Sequence, residues 1–155
     1  MVRKKVSAME YQLDDAEQYS RVNCLEINGI PEINNENVVE TVKTIAKSLD
    51  VALTEESINA CHRLGNKQDG RKRGIIDKFT RRFVKEELLQ RRKVKRNFNT
   101  SDIGLSSGPA DTININESLT QNRRKILNAA REERKELCIH VGEERQSIPE
   151  KNRGR

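Results

Sequence analysis

Fourteen Lys or Arg residues fall between Arg63 and Arg96, against four acids, Asp69, Asp77, Glu86 and Glu87. The stretch carries a net +10 while the whole chain carries +6, so everything outside it sums to −4. Ammonium and guanidinium groups at that density bind phosphate, and a local positive field on a mildly acidic body points to a polyanion partner, most often nucleic acid. The competing reading is solvation of an exposed helix and loop, or an acidic protein partner. Four acids among fourteen bases cannot neutralise the stretch, which favours the polyanion. The candidate phosphate contacts are Arg63, Lys67, Arg71, Lys72, Arg73, Lys78, Arg81, Arg82, Lys85, Arg91, Arg92 and Lys93. Arg21, Arg123 and Arg124 are candidates to extend the track.

Other chemistry finds less support. Cys61-His62 and Cys138-x-His140 supply two thiols and two imidazoles, but structural zinc sites use C-x₂₋₄-C or H-x₃₋₅-H pairs. Adjacent residues in a strand point to opposite faces, so Cys61 and His62 cannot easily share one ion. No P-loop, G-x-S-x-G, H-E-x-x-H or G-x-G-x-x-G motif occurs. The expectation is a protein without catalytic residues, metal, cofactor or small-molecule substrate.

Composition sets what the rest can be. The chain has 155 residues, 34% apolar and 35% charged, against typical values of about 45–50% and about 25%. One modest core is affordable, and part of the chain should be extended, coiled-coil or disordered. The opening MVRKKVSAMEY lacks the apolar segment of a secretory signal, the cysteine count is odd, and no apolar run reaches membrane-spanning length. An intracellular location, cytoplasmic or nuclear, with reduced thiols is expected. The sequons at Asn99 and Asn116 are then chance matches.

The elements that must position the basic stretch can be read in order. Val2, Val6, Met9, Leu13, Ala16 and Ser20 follow 4-3-4-3-4 spacing, the seam of a heptad helix over residues 1–21. Fewer than three heptads are present, so a self-associating helix and a frayed solvent helix both fit. Val22–Pro31 reads as a strand with a Gly/Pro stop, Leu25 and Ile27 on one face and Cys24, Glu26 and Asn28 on the other. Asn37 caps a helix from Val38 to about Leu49 with Val38, Val42, Ile45 and Leu49 as its apolar stripe. Ile58, Ala60, His62 and Leu64 alternate as a second strand. Ile75–Phe79 is a third, after a polar loop from Gly65 to Arg73.

Arg81–Arg96 is a second helix burying Val84 and Leu88, with Arg81, Lys85, Arg92 and Arg96 as a basic stripe on the opposite side. Together with Arg71-Lys72-Arg73 the stripe would line a groove for one nucleic-acid strand. After a Gly- and Ser-rich linker, Thr112–Ile115 gives a fourth strand. Leu119 to about Leu137 gives a further helix with Ile126 and Ala130 inward, and Leu137–Val141 is a last candidate strand. Residues 138–155 read as a mostly disordered tail.

The order is strand, helix, strand, strand, helix, strand. That predicts an α+β, atypical RRM-like (ferredoxin-like βαββαβ) domain over 22–116, with an N-terminal coiled-coil-like helix and an extra C-terminal helix over 117–137. In RNA-recognition modules the open sheet face stacks bases on aromatics. Here the first and third strands offer Glu26, Ile76 and Gly74 instead, and aromatics are 3% of the chain. Binding is therefore expected to be phosphate-led and weakly sequence-specific.

Several motifs resemble a known family. Glu17–Arg21 running into Asn23-Cys24-Leu25-Glu26-Ile27-Asn28-Gly29-Ile30-Pro31 is similar to the opening of the FP-type C-terminal domain, named for the baculovirus few-polyhedra protein. That family is widespread in ORF1-like proteins of insect LINE-type (non-LTR) retrotransposons. Ala60–Leu64, Gly70–Arg73 with Ile75-Ile76 and Lys78-Phe79, and Ile115–Glu117 with Leu119-Thr120 follow in the same order. The similarity spans about Glu17 to Glu136. It implies a protein that oligomerises through a coiled coil (here Val2, Val6, Met9 and Leu13), carries an RRM-like fold, and coats and chaperones single-stranded RNA or DNA. Two departures stand out. The family pattern has an apolar residue, typically Val, where this chain has Asp77, which implies a buried unpaired carboxylate and suggests a decaying copy. The aromatic, basic stretch expected after the last helix is missing, which implies a truncated C-terminal lobe, and the start inside a heptad seam implies a shortened N-terminus. From another class, a viral-type structural or trafficking adaptor would use the coiled coil and basic patch on acidic proteins or nuclear membrane partners.

Overall fold

The computed structural model describes residues 1–67, 70–106 and 108–146, with side chains described as far as residue 135. It divides into two compact units, Met1–Ser118 and a second beginning at Leu119. The first holds α1 (Val2–Ser20), β1 (Cys24–Asn28), α2 (Val38–Ser48), β2 (Ile58–Arg63), β3 (Ile75–Phe79), α3 (Arg82–Val94) and β4 (Asn114–Glu117). The second holds α4 (Gln121–Gln146). Among the described residues this is an α+β fold of four α-helices and one antiparallel sheet in the order β2-β3-β1-β4.

Register follows from which side chains must leave water. Leu25 and Ile27 of β1 oppose Asp77 and Ile75 of β3, and Ile27 also opposes Ile115 of β4. Leu25, Ile27, Ile75, Phe79 and Ile115 face the helices and are buried with Val42, Ile45 and Leu49 from α2 and Leu88 from α3. Fully burying each such side chain stabilises the fold by roughly 1.5–3 kcal/mol relative to leaving it exposed. The expected α2 stripe is present, with Val38 packed at its margin. Asn37 caps that helix, its Oδ1 accepting from the Glu40 amide at 3.3 Å, which satisfies a donor that the first helical turn leaves without a partner. Phe98 is fully buried, with the Arg92 guanidinium 5.8 Å and the Lys95 ammonium 5.1 Å from its ring centre, a cation–π arrangement. Gly29 ends β1 at φ +96°, and a Cβ there would lie 2.1 Å from the Thr112 carbonyl oxygen. That turn requires glycine.

Several expectations are corrected. The helix-facing residues of β2 are Cys61 and Arg63, opposite Asp77 and Ile75, while Ala60 and His62 are exposed. The register shifts between Ile58 and Ala60, and one extra residue in a strand flips every later side chain to the other face. The expected N-terminal helix is present as α1, and its end is bonded into the first unit. Gln18 Nε2 donates to the Ser118 carbonyl at 3.1 Å, and Arg21 donates to Ser118 Oγ at 3.3 Å. No residue of α1 is buried, its apolar seam and Tyr11 and Tyr19 included. Helix α4 runs on to Gln146, so Leu137–Val141 is helical rather than a strand, and the expected tail is helical over 138–146. Ile126 and Ala130, expected inward, are exposed. The remainder of the expected tail, 147–155, lies outside the described residues.

Candidate nucleic-acid interface

The twelve candidate bases separate by what their charge already serves. Arg63 is 8% exposed, and all five of its N–H donors are occupied. Nε and Nη2 clasp the two oxygens of Glu36 at 2.8 Å each, Nη1 donates to the carbonyls of Ile30 and Arg73, and Nη2 also donates to Pro31. Its guanidinium ties the β1–α2 segment to the end of β2 and has no donor left for a phosphate. Arg73 holds Glu32 through Nε and Nη2 and donates to the Gly65 carbonyl. Its hydrogen bond keeps the Glu32 carboxyl below the usual carboxylate range. Arg63 and Arg73 thus position the β2–β3 loop rather than line a groove.

The basic stripe of α3 is likewise redistributed. Lys85 is 4% exposed and its ammonium is 2.6 Å from Glu117 on β4. Arg92 donates to the carbonyls of Ile113 and Lys95. The reason is angular: Lys85 is three residues before the buried Leu88 and Arg92 four after it, which sets both within about 60° of Leu88 around the helix. These two stripe members therefore run beside the buried face, where side chains meet β4, while Arg81 and Arg96 fall outside α3 and are exposed.

Eight candidates remain exposed: Lys67, Arg71, Lys72, Lys78, Arg81, Arg82, Arg91 and Lys93. Lys72 pairs with Asp111 and Lys67 reaches Asn34 Oδ1 at 3.5 Å. The other six have no side-chain hydrogen bond or ion pair among the described residues. The topology sets them in two groups. Lys67, Arg71 and Lys72 precede β3, at the sheet end where β1 finishes and β4 begins. Arg91 and Lys93 belong to this end as well, because neighbouring Arg92 bonds Ile113 just before β4. Lys78, Arg81 and Arg82 sit at the opposite end, past the length of β3, about 13 Å from Ile75 to Phe79. The loop cluster and the start of α3 are close in sequence but not side by side. Of the further candidates, Arg21 is engaged by Glu17 and Ser118, and Arg123 and Arg124 lie on α4 in the second unit.

The sheet face away from α2 and α3 runs between the two groups. Alternation from the paired registers places Asn28, His62, Lys78, Asn114 and Asn116 there, all exposed, with Ile76 half-buried. Cys24 and Glu26 on this face are buried, and Ser118 Oγ donates to Glu26 at 3.2 Å. Sequence reading placed Asn28 on this face and weighed His62 as a metal ligand, but did not group them with Asn114 and Asn116, because isolated polar residues in strands carry no periodic signal. It also passed over Glu32, Glu36 and Asp111, whose role as partners of Arg73, Arg63 and Lys72 depends on contacts 27 to 41 residues apart.

Cys61 and His62 do face opposite sides of β2. The Cys61 thiol is half-buried and pushed up to about 12, first by burial and then by the neighbouring Asp77 charge. That is the signature of an inert thiol rather than a nucleophile or ligand. The side chains of Cys138 and His140 lie outside the described residues. Asp77 is fully buried, both carboxylate oxygens lack a hydrogen-bond partner, and burial pushes the group up to about 7. Among the described residues no helix is long and apolar enough to cross a membrane. Comparison with protein-family models and with curated proteins gave no match to this chain.

Proposed function

We propose that this protein binds single-stranded nucleic acid, with RNA the first choice, through phosphate contacts and with weak sequence preference. The observation that carries the proposal is the charge left over after internal pairing. The half-buried acids Glu36 and Glu32 take up Arg63 and Arg73, while Arg71, Lys78, Arg81, Arg82, Arg91 and Lys93 face solvent without an acidic partner among the described residues. Bases held in this way can exchange counterions for phosphates. The order of elements, with β1 and β3 central and β2 and β4 at the edges, supports reading the sheet as a ferredoxin-like, RRM-like fold. The motif resemblance to FP-type domains supports the same reading. Lack of aromatics on the outward positions of β1 and β3 fits binding led by phosphates instead of stacked bases.

The apolar seam of α1, exposed along its length, is on this reading the self-association surface, through Val2, Val6, Met9 and Leu13. Oligomerisation would multiply a weak basic site by presenting several copies to one strand.

The test is fluorescence anisotropy with a single-stranded RNA of about 30 nucleotides across a salt series. Affinity should fall steeply with salt, and replacing Arg71, Lys78, Arg81 and Arg82 by Gln should flatten the log–log slope. Arg63 and Arg73 are unsuitable for this purpose because their loss would disturb the fold. Salt-independent binding, or a slope unchanged in the variant, would rule the proposal out and favour a protein partner.

A further inference from the structure

Asp77 occupies the centre of β3 on the helix-facing side of the sheet. Leu25 of β1 opposes it on one side and Cys61 of β2 on the other, and Ile75 and Phe79 flank it along the strand, both buried. The charged and titratable groups around it are committed elsewhere or uncharged. On β2 these are the Cys61 thiol and Arg63, whose five donors are all used. On β4 it is Glu117, paired with Lys85 of α3. The remaining buried residues of α2 and α3, Val42, Ile45, Ala46, Val84 and Leu88, and the helix-facing residues of β1 carry no charge. Neither carboxyl oxygen of Asp77 receives a hydrogen bond among the described residues. Holding an ionised carboxylate in such a place without a partner is costly.

We propose that Asp77 makes closure of the β2–β3 pair conditional on a proton. With the carboxyl neutral, the sheet packs under α2 and α3. When the proton leaves, the charge favours reaching water, and the least disruptive route is to peel back β2, an edge strand whose departure leaves the β1–β3 and β1–β4 pairs intact. Opening uncovers Cys61, which otherwise faces the core from β2. It also frees the base of the β2–β3 loop.

The direction of the effect follows from linkage. Asp77 ionises near 3.8 when unfolded and at about 7 when folded. Its contribution to stability is therefore full below about pH 4 and is lost as pH rises towards 7. Over that window the opening equilibrium constant should grow by about tenfold per pH unit, roughly a thousandfold in all, and then level off.

The experiment uses the full chain and its Asp77→Asn variant, which keeps the shape and cannot ionise. Urea midpoints and the rate of maleimide labelling at Cys61, read by mass spectrometry, are followed from pH 4.5 to 8.5. Thiol ionisation is common to both proteins and cancels in the ratio. The expected result is a wild-type labelling rate and unfolding constant that both climb relative to the variant as pH rises to 7, then run parallel to it. A ratio constant across the range would overturn the proposal. Should the variant fail to fold, the ¹³C shift of the Asp77 carboxyl in the wild-type chain decides. A midpoint near neutrality upholds the proposal, and one near 4 overturns it.

Discussion

Arg63 and Arg71 are eight positions apart in one basic run, and their substitutions should have opposite kinds of consequence. Arg63→Ala would leave the half-buried Glu36 without its bidentate partner and three carbonyls without this donor, and the loss should approach the roughly 3–5 kcal/mol of breaking a fully buried pair. Arg63→Lys should recover little of that, since an ammonium cannot reproduce a planar five-donor fork. Urea denaturation monitored by far-UV circular dichroism measures both, and a midpoint unchanged in either variant would refute the clamp. Arg71→Gln should leave the melt within about 0.5 kcal/mol of wild type, as exposed substitutions do, and show itself in nucleic-acid affinity. Gly29→Ala should destabilise by about 1–3 kcal/mol, because the left-handed turn and the Thr112 carbonyl both exclude a side chain. Composition and spacing treated these arginines alike. What separates them is whether the fold brings an acid to them: Glu36 and Glu32, from the β1–α2 segment, reach Arg63 and Arg73, and among the described residues no acid reaches Arg71.

At the scale of elements, periodicity was readable wherever one face is dry. The α2 stripe, its Asn37 cap, the β3 limits and the inward set Leu25, Ile27, Ile75 and Phe79 were all legible, as was the inward position of Asp77. The β2 face was not, because a bulge of one residue inverts alternation without any change in composition. The polar α4 was misread in the same way: Ile126 and Ala130 recur at helical spacing, yet the helix carries them exposed. Helix α1 poses the reverse case, a heptad seam with no cover among the described residues. If it associates, Val6→Glu with Met9→Glu should convert the oligomer to a monomer in sedimentation velocity while leaving the urea midpoint of the sheet unchanged. An unchanged sedimentation coefficient would assign that seam another role.

For the whole molecule, the arrangement of charge matters more than its sum. The net +10 of the basic stretch was visible at once, but its division between two ends of a sheet was not, since β3 intervenes only in three dimensions. A strand that engages both ends should respond to each. Lys67, Arg71 and Lys72 changed together to Gln, or Lys78, Arg81 and Arg82 changed together, should each lower the salt slope by about 0.7 for every phosphate no longer neutralised. The combined variant should show the sum of the two decreases. If one triple change accounts for the entire slope, a single end carries the binding and the other is bystander charge.

The placement of aromatic side chains gives this protein two separate optical channels. There is no tryptophan, and both tyrosines, Tyr11 and Tyr19, lie exposed on α1, while the core holds Phe79 and Phe98. Tyrosine emission should therefore follow what happens to the N-terminal helix and stay nearly blind to melting of the sheet, which the amide signal reports. Assembly and folding can be followed in the same cuvette without a label, and a concentration-dependent tyrosine change at constant ellipticity would be self-association seen alone.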